Sequence, residues 1–412
     1  MSNDGMPVIR IRDVQVILTA PNGIRLVVVK VVTDQPGLYG LGCATFTQRP
    51  LAVAAAVEHY LKPFAIGRDV ARIEDFYQAA YVSSYWRSGP VLNNALSGID
   101  EALWDIKGKV AGLPIYQLLG GKCREAVPVY VHASGDSFGQ VEERARAYME
   151  QGFRHVRCQV GIAGMSTYGS RGGGGMAALD PAQTRTWEPS AYVHTVPKLF
   201  EHLRLTLGDD VELLHDVHER IPPILGVWLA KALEPYRLFF LEDLFAPEDN
   251  GYFAQVRQQC ATPLAMGELF VNQAEYVPLI QQRLIDFIRV HLSDIGGFSM
   301  ARKLAAFCEF MGVRTAFHGP GDVSPVGHAA NMHLDLAIPN FGIQELALFH
   351  DETREVFPGT PEVRHGCMWP NDRPGWGVDI DEALAARYPF PEDRYNGAWP
   401  EVRTWDGTVI RP

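Results

Sequence analysis

The stretch Val211-Glu212-Leu213-Leu214-His215-Asp216-Val217-His218 decides how the chain is read. It is a short apolar run closed by polar residues, the pattern of a strand buried on both faces of a parallel sheet. Two later runs close the same way. Leu238-Phe239-Phe240-Leu241 leads to Glu242, and Pro263-Leu264-Ala265-Met266-Gly267 leads to Glu268. Asp216, Glu242 and Glu268 follow one another at intervals of 26 residues. A strand, a helix and two loops take somewhat over 20 residues, so the interval is one β/α unit. In a closed barrel of such units, neighbouring strand ends meet at one mouth. Three carboxylates there repel one another unless a hard, oxygen-seeking divalent cation such as Mg²⁺ sits between them.

Working outward, strand ends are expected near His132, Gln159, Asp216, Glu242, Glu268, Leu292, His318 and Glu345. Helical patterns fill most gaps, as at 140–151, 192–205 and 300–311. Eight strands with intervening helices predict a TIM-type barrel over 127–348. The last two strands are expected to be joined by a short irregular stretch. Residues 161–190 form an anomalously long loop after the second strand, and long loops in compact domains are usually functional or disordered.

Before the barrel, residues 1–126 read as a small α+β domain. Three strands lie between Ile9 and Phe46, and helices span 50–65, 72–86 and 91–111. Gly112 suits a helix C-cap and Pro114 a stop. After His350 the chain turns Pro-rich, and 349–412 is expected to pack back on the first domain.

Composition narrows the class. A chain of 412 residues with 47% apolar and 21% charged residues is an ordinary globular protein. A net charge of −11 leaves no footprint for nucleic acid. No apolar run reaches the length of a membrane span, and the N-terminal residues lack the order of a signal peptide. The six cysteines are scattered, with no paired spacing. That predicts reduced thiols and a cytoplasmic location.

Electrophilic help from a cation eases removal of a proton next to a carboxylate. Such chemistry needs a base near the α-carbon and, where a group departs from the β-carbon, an acid there. His218 lies two residues after Asp216, and strand alternation puts both on one face. His318 also ends a strand, as a base, a substrate ligand or an ordinary strand-end histidine. Arg289 and His291 share a face of the sixth strand and suit the anionic end of a substrate. Glu345 closes the eighth and could bind a hydroxyl. Tyr168 stands in the long loop and Arg157 on the second strand; a guanidinium favours phenolate, making Tyr168 a candidate base.

Gly98-Ile-Asp-Glu-Ala-Leu-Trp-Asp-Ile-Lys-Gly-Lys-Val-Ala-Gly-Leu-Pro114 resembles the last capping helix of the enolase superfamily, whose members pair an α+β cap with a (β/α)7β barrel. The spacing of Asp216, Glu242 and Glu268 is similar to that superfamily's Mg²⁺ triad. The second strand reads Arg157-Cys158-Gln159, without the lysine of the muconate-cycloisomerase type. The nearer resemblance is to the mannonate dehydratase subgroup, which includes starvation-sensing proteins. It rests on His-Asp-x-His at 215–218, the long loop with its Arg/Tyr pair, His-Gly-x-x-Asp at 318–322 and Asn-Phe-Gly-Ile-Gln-Glu at 340–345.

The resemblance implies Tyr168 with Arg157 as the base and His218 as the acid on the opposite face. His132, Arg289, His318, Asp322 and Glu345 would hold the substrate, together with Thr47 and Gln48 of the first capping loop. It implies a sugar-acid substrate, D-mannonate or D-gluconate, losing water to 2-keto-3-deoxygluconate, and a homo-oligomer. The chain departs from efficient mannonate dehydratases at Thr47-Gln48, where they carry Asn-Gly, and at Pro320, where they carry Ala. Its last residues, Val409-Ile410-Arg411-Pro412, replace a terminal Trp, and the Arg-to-Tyr spacing is 11. The machinery is therefore read more sharply than the substrate. A metal-binding regulator without turnover, and a racemase or epimerase returning the proton to C2, remain the alternatives.

Overall fold

The computed structural model describes residues 8–162, 187–346, 348–392, 402–404 and 406–411. Strands β1 (Ile11–Thr19), β2 (Leu26–Thr33) and β3 (Tyr39–Cys43) form an antiparallel sheet in that order. Their β-branched residues suit a pleated, half-buried surface. Against the sheet lie helices α1 (Pro50–Ala56), α2 (Ile73–Val82) and α3 (Pro90–Ala111). The second helix stops four residues short of the expected end at 86. Ser83 turns its hydroxyl onto the Ala80 carbonyl, and Tyr85 takes a left-handed φ of 67°. A serine that bonds the backbone locally competes with helix continuation.

Eight parallel strands form the barrel: β4 (Val127–Gly135), β5 (His155–Val160), β6 (Glu212–Asp216), β7 (Phe240–Glu242), β8 (Leu264–Met266), β9 (Phe287–Ile288), β10 (Arg314–Thr315) and β11 (Gln344–Glu345). They pair in chain order, and β11 returns to pair with β4. A parallel bridge between Thr315 and Phe341 closes the circle. Together with the cap this is an α+β domain joined to a (β/α)7β barrel. Helices Phe138–Glu150, Pro189–Leu207, Pro223–Leu233, Tyr252–Arg257, Gln273–Gln281, Phe298–Met311 and Pro325–Ala337 surround it. The last of these corrects the expectation of an irregular link between the final two strands. It is buried almost all round, including His328, Asn331, His333 and Asp335, so its sequence lacks the polar face that marks a surface helix. Among the described residues no helix is long and apolar enough to cross a membrane.

One layer of side chains fills the barrel: Tyr130, Leu214, Phe240, Ala265, Phe287, Ala316 and Ile343, all buried. Each comes from a different strand or the residue adjoining it. This layer sets the stage for the mouth above it, because residues two positions further along a strand face the same way.

The cap is fastened by carboxylates of α3. Asp100 accepts from the Ser299 amide (2.8 Å) and hydroxyl (2.6 Å), at the start of a barrel helix. Glu101 accepts from the Cys43 amide at 2.8 Å. Asp105 accepts from Leu41 (3.0 Å) and Trp376 (2.9 Å). The chain after 349 reaches both bodies. Strands β12 (Glu362–Arg364) and β13 (Cys367–Trp369) form a hairpin, and β13 lies antiparallel against the start of β4. Further on, Trp376 Nε1 donates to the carbonyls of Leu41 and Glu101 at 3.1 Å each, and Tyr39 donates to Asp379 at 2.7 Å.

Burial pushes the Asp100 carboxyl up to about 7, against the pull of Ser299. The unfolded chain releases this proton near the ordinary Asp value of about 3.9. Between those values the folded protein holds a proton that the unfolded chain has lost, so stability falls as pH rises through that window. Burial pushes Glu101 up as well. Urea midpoints measured from pH 4 to 8 should therefore decline, and Asp100→Asn should flatten the decline below about pH 7. An unchanged slope in the variant would show that Asp100 titrates normally.

Candidate active site

The mouth is built two residues above the apolar layer. Tyr130 leads to His132, Leu214 to Asp216, Phe240 to Glu242, Phe287 to Arg289, Ala316 to His318 and Ile343 to Glu345. Asp216 and Glu242 are direct partners in the β6–β7 register. Strand β8 breaks the rule. Two residues above Ala265 stands Gly267, with φ 148°, where a Cβ would lie 2.9 Å from the Val290 nitrogen. Only glycine fits so near another backbone. The acid therefore comes one residue later, at Glu268. Strands β9 and β10 end before the expected positions, but single hydrogen bonds carry the pairing on. Arg289 donates to Met266 (2.8 Å), Ala316 to Ile288 (2.9 Å) and His318 to Val290 (3.2 Å).

Two buried guanidiniums hold the acids. Arg157 Nη1 lies 3.2 Å from Asp216, 3.2 Å from Glu242 and 3.4 Å from Glu345. Arg289 reaches Glu242 (2.8 Å), Glu345 (2.7 Å) and Glu268 (3.1 Å), and donates to the Tyr130 hydroxyl at 2.7 Å. His132 Nε2 lies 2.9 Å from Glu345. The Gly319 amide donates to Glu345 at 3.0 Å. His318 Nε2 faces Glu268 at 3.2 Å, and its Nδ1 is 2.9 Å from Nδ1 of His291. His218 Nε2 also faces Glu268, at 3.4 Å. It arrives there differently from the expected strand alternation. The strand ends at Asp216, and His218 and Glu219 take left-handed φ values of 55° and 53°.

Burial drives the Glu242 carboxyl well above its ordinary range, with Arg289 pulling against it. Glu345 is equally buried, yet the Arg289 charge and the His132 contact hold it well below. Burial, then the Arg157 charge, lowers His132; burial also lowers His318 against the pull of Glu268.

The residues expected from sequence fall into two groups. Arg157, Asp216, His218, Glu242, Glu268, Arg289, His318, Glu345 and His132 share the mouth through the contacts above. Thr47 donates to Asp322 at 3.0 Å and also contacts Gln48 at 3.0 Å, which brings the first capping loop to the loop after β10. Tyr168 lies outside the described residues, as does most of the 161–190 loop. Among the described residues, the acids that offer oxygens within 4.8 Å of one another are Asp216, Glu242 and Asp243. Glu268 is not in that group, because its carboxylate turns towards Arg289, His218 and His318. Sequence reading passed over Asp243. Its signal is the adjacent acid pair Glu242-Asp243, which strand alternation alone would place on opposite faces. Behind the mouth, His215 is held by the Tyr192 hydroxyl (2.7 Å) and the Cys158 carbonyl (2.9 Å), which fixes the strand below Asp216.

Comparison with known proteins bears on this arrangement directly. Residues 6–120 match the mandelate racemase/muconate lactonizing enzyme N-terminal domain, and residues 140–384 match the enolase C-terminal domain-like family. RspA of Pantoea ananatis, a D-galactonate dehydratase family member, is 55% identical over 98% of this chain and 99% of its own. A D-galactonate dehydratase family member of Salmonella enteritidis is 53% identical over 98% of this chain and 99% of its own. The chain belongs to the D-galactonate dehydratase family of the enolase superfamily. A crystal structure of an enolase from Pantoea ananatis with bound D-gluconate and Mg superposes with a TM-score of 0.93 at 56% identity, covering 98% of this chain and all of that one. A mandelate racemase/muconate lactonizing enzyme from Sulfitobacter has the same fold at 25% identity, with a TM-score of 0.81 over 94% of this chain and 97% of its own. D-galactonate dehydratase family membership thus agrees with the cap, the barrel and an acid-lined mouth.

Proposed function

We propose that this protein is a Mg²⁺-dependent acid-sugar dehydratase. It removes the C2 proton of a hexonate, D-mannonate or D-gluconate, and eliminates the C3 hydroxyl to give 2-keto-3-deoxygluconate. A cytoplasmic homo-oligomer belongs to the same proposal. The observation that carries it is the charge of the mouth. Five buried acids (Asp216, Glu242, Asp243, Glu268 and Glu345) face two buried guanidiniums, Arg157 and Arg289. Fully ionised, they leave three negative charges in excess, and Asp216 Oδ1 has no hydrogen-bond partner among the described residues. A hard divalent cation suits this all-oxygen donor set. Asp216, Glu242 and Glu268 would hold it, the last two already bridged by Arg289. When bound, Mg²⁺ supplies electrophilic stabilisation to a substrate carboxylate whose neighbouring C–H bond is breaking.

The chain's own groups do the rest. Tyr168, its phenolate favoured by Arg157, takes the C2 proton. His218 gives a proton to the C3 hydroxyl, which leaves as water as the C–O bond breaks and a C2–C3 double bond forms. The enol tautomerises to the 2-keto acid. His132, Arg289, His318 and Glu345 orient the substrate from the strand ends, and Thr47, Gln48 and Asp322 from the cap side. The gluconate-bound relative supports a hexonate, and the relatives' family name supports dehydration of one.

D-mannonate and D-gluconate differ only at C2, which becomes the carbonyl, so both give one product. D-galactonate differs at C4 and gives another. Purified protein with Mg²⁺ should be incubated with each acid and the products separated. Keto acid from mannonate or gluconate is the expected result. Keto acid from galactonate alone would reassign the substrate, C2-inverted substrate would make the protein an epimerase, and no product from any hexonate would overturn the proposal.

A further inference from the structure

Asp243 follows Glu242 at the end of β7. Consecutive side chains on an extended strand point to opposite faces. Glu242 faces the barrel mouth, so the next residue belongs on the outside. Asp243 does not go there. Its φ is 42°, in the left-handed region, which residues other than glycine enter only at a cost. The turn is pinned on both sides: its amide donates to the Ala265 carbonyl at 3.0 Å, and its own carbonyl accepts from Glu219 at 2.8 Å. The result returns the carboxylate to the mouth, with an oxygen within 4.8 Å of those of Asp216 and Glu242.

That carboxylate is fully buried, and neither of its oxygens has a hydrogen-bond partner among the described residues. Arg289, the guanidinium across the mouth, is directed at Glu242, Glu268, Glu345 and Tyr130 instead. A buried acid without a partner is among the costliest arrangements in a protein interior. Packing does not demand it, since glycine or asparagine would take the same backbone more cheaply. A strained backbone and an uncompensated acid in one residue, both aimed at the same point, call for a positive group at that point.

We propose that Asp243 is a fourth carboxylate of the divalent-cation site, beside Asp216, Glu242 and Glu268. This rests on the Mg²⁺ reading above. It requires effects of opposite sign with and without the cation. In metal-stripped protein, Asp243 repels its neighbours and destabilises the fold; with the cation, it strengthens binding.

The test uses Mn²⁺ as a paramagnetic probe, titrated into chelator-stripped full-length protein, together with thermal melts with and without Mg²⁺. Asp243→Asn keeps size and backbone. Its metal-free melting temperature should equal or exceed the parent's. Mn²⁺ affinity should fall by about 10–100-fold, the loss typical of groups that support a metal site, and the Mg²⁺-induced rise in melting temperature should shrink. Parent-like Mn²⁺ affinity in Asp243→Asn, alongside loss in Glu242→Gln, overturns the proposal. So does a lowered metal-free melting temperature with an unchanged Mg²⁺ increment, the signature of a merely structural residue. Should Asp243→Asn fail to accumulate, Asp243→Gly, which suits the left-handed φ, takes the same measurements and the same criteria. A parent protein that binds no Mn²⁺ overturns the cation reading itself, an outcome distinct from a failure of Asp243 alone.

Discussion

The Tyr168→Phe protein is expected to lose both dehydration of a hexonate and exchange of the C2 proton with solvent deuterium. Both processes begin with the same proton removal, and the variant keeps the ring but not the oxygen that accepts the proton. A free phenol, with a pKa of about 10, is a poor source of base at neutral pH. On the proposed reading Arg157 moves it down, so parent activity should rise with pH through a value below about 10. His218→Asn should behave differently. It removes the proton donor to the leaving hydroxyl while leaving base and acids in place, so elimination fails and C2 exchange survives. Each loss should reach at least the roughly 10²–10⁴-fold typical of general acid–base groups. The loss for Tyr168 should be the larger, since nothing downstream starts without proton removal. Proton NMR of a hexonate turned over in D₂O reads both events at once. Parent-rate exchange in Tyr168→Phe would move the base elsewhere. His318, at the mouth with its pKa lowered by desolvation, would be the next candidate.

Glu242→Gln should abolish metal-dependent activity while leaving the fold intact. Both guanidiniums converge on Glu242, as they do on Glu345; Glu242 lies 3.2 Å from Arg157 and 2.8 Å from Arg289, and it is paired in register with Asp216. The amide keeps the volume and one acceptor oxygen but removes the charge. With that charge gone, Arg157 and Arg289 weigh more heavily against a divalent cation in the same mouth. Activity should fall by at least about 10²–10³-fold, the scale of losing one preorganised electrostatic group at a reacting centre. Far-ultraviolet circular dichroism should match the parent's. Chelator treatment and Mg²⁺ add-back of the parent provide the reference. Full activity in Glu242→Gln would remove this residue from any cation site.

What could be read from sequence, and what could not, follows from backbone geometry. The barrel was legible because apolar runs such as Leu238–Leu241 end in polar residues at regular intervals, and regular spacing reflects repeated β/α units. The positions of Asp216, Glu242, Arg289 and Glu345 were legible because each stands two residues above an inward apolar side chain, where the period-2 rule holds. Asp243 and Glu268 stand three residues above theirs. The 26-residue interval placed Glu268 at the mouth, although the way it gets there rests on Gly267; Asp243 depends on a left-handed φ, which pattern alone does not reveal. Helix Pro325–Ala337 was missed for a different reason: buried histidines and an aspartate along it make a core helix look irregular. The early end of α2 turned on one serine hydroxyl.

The clasp of Trp376 on the cap has a consequence for how the chain is made. Trp376 donates to the Leu41 and Glu101 carbonyls and is itself bound by Asp105, 271 positions earlier. A ribosome adding roughly 5–20 residues per second takes about 14–54 s to bridge that interval. Throughout it, the nascent three-stranded sheet lacks a buried tryptophan and one of the donors to Asp105. This sheet thus gains one of its core side chains only long after its own strands have been made. A ribosome stalled within that interval would leave this sheet without the tryptophan that bonds its Leu41 carbonyl.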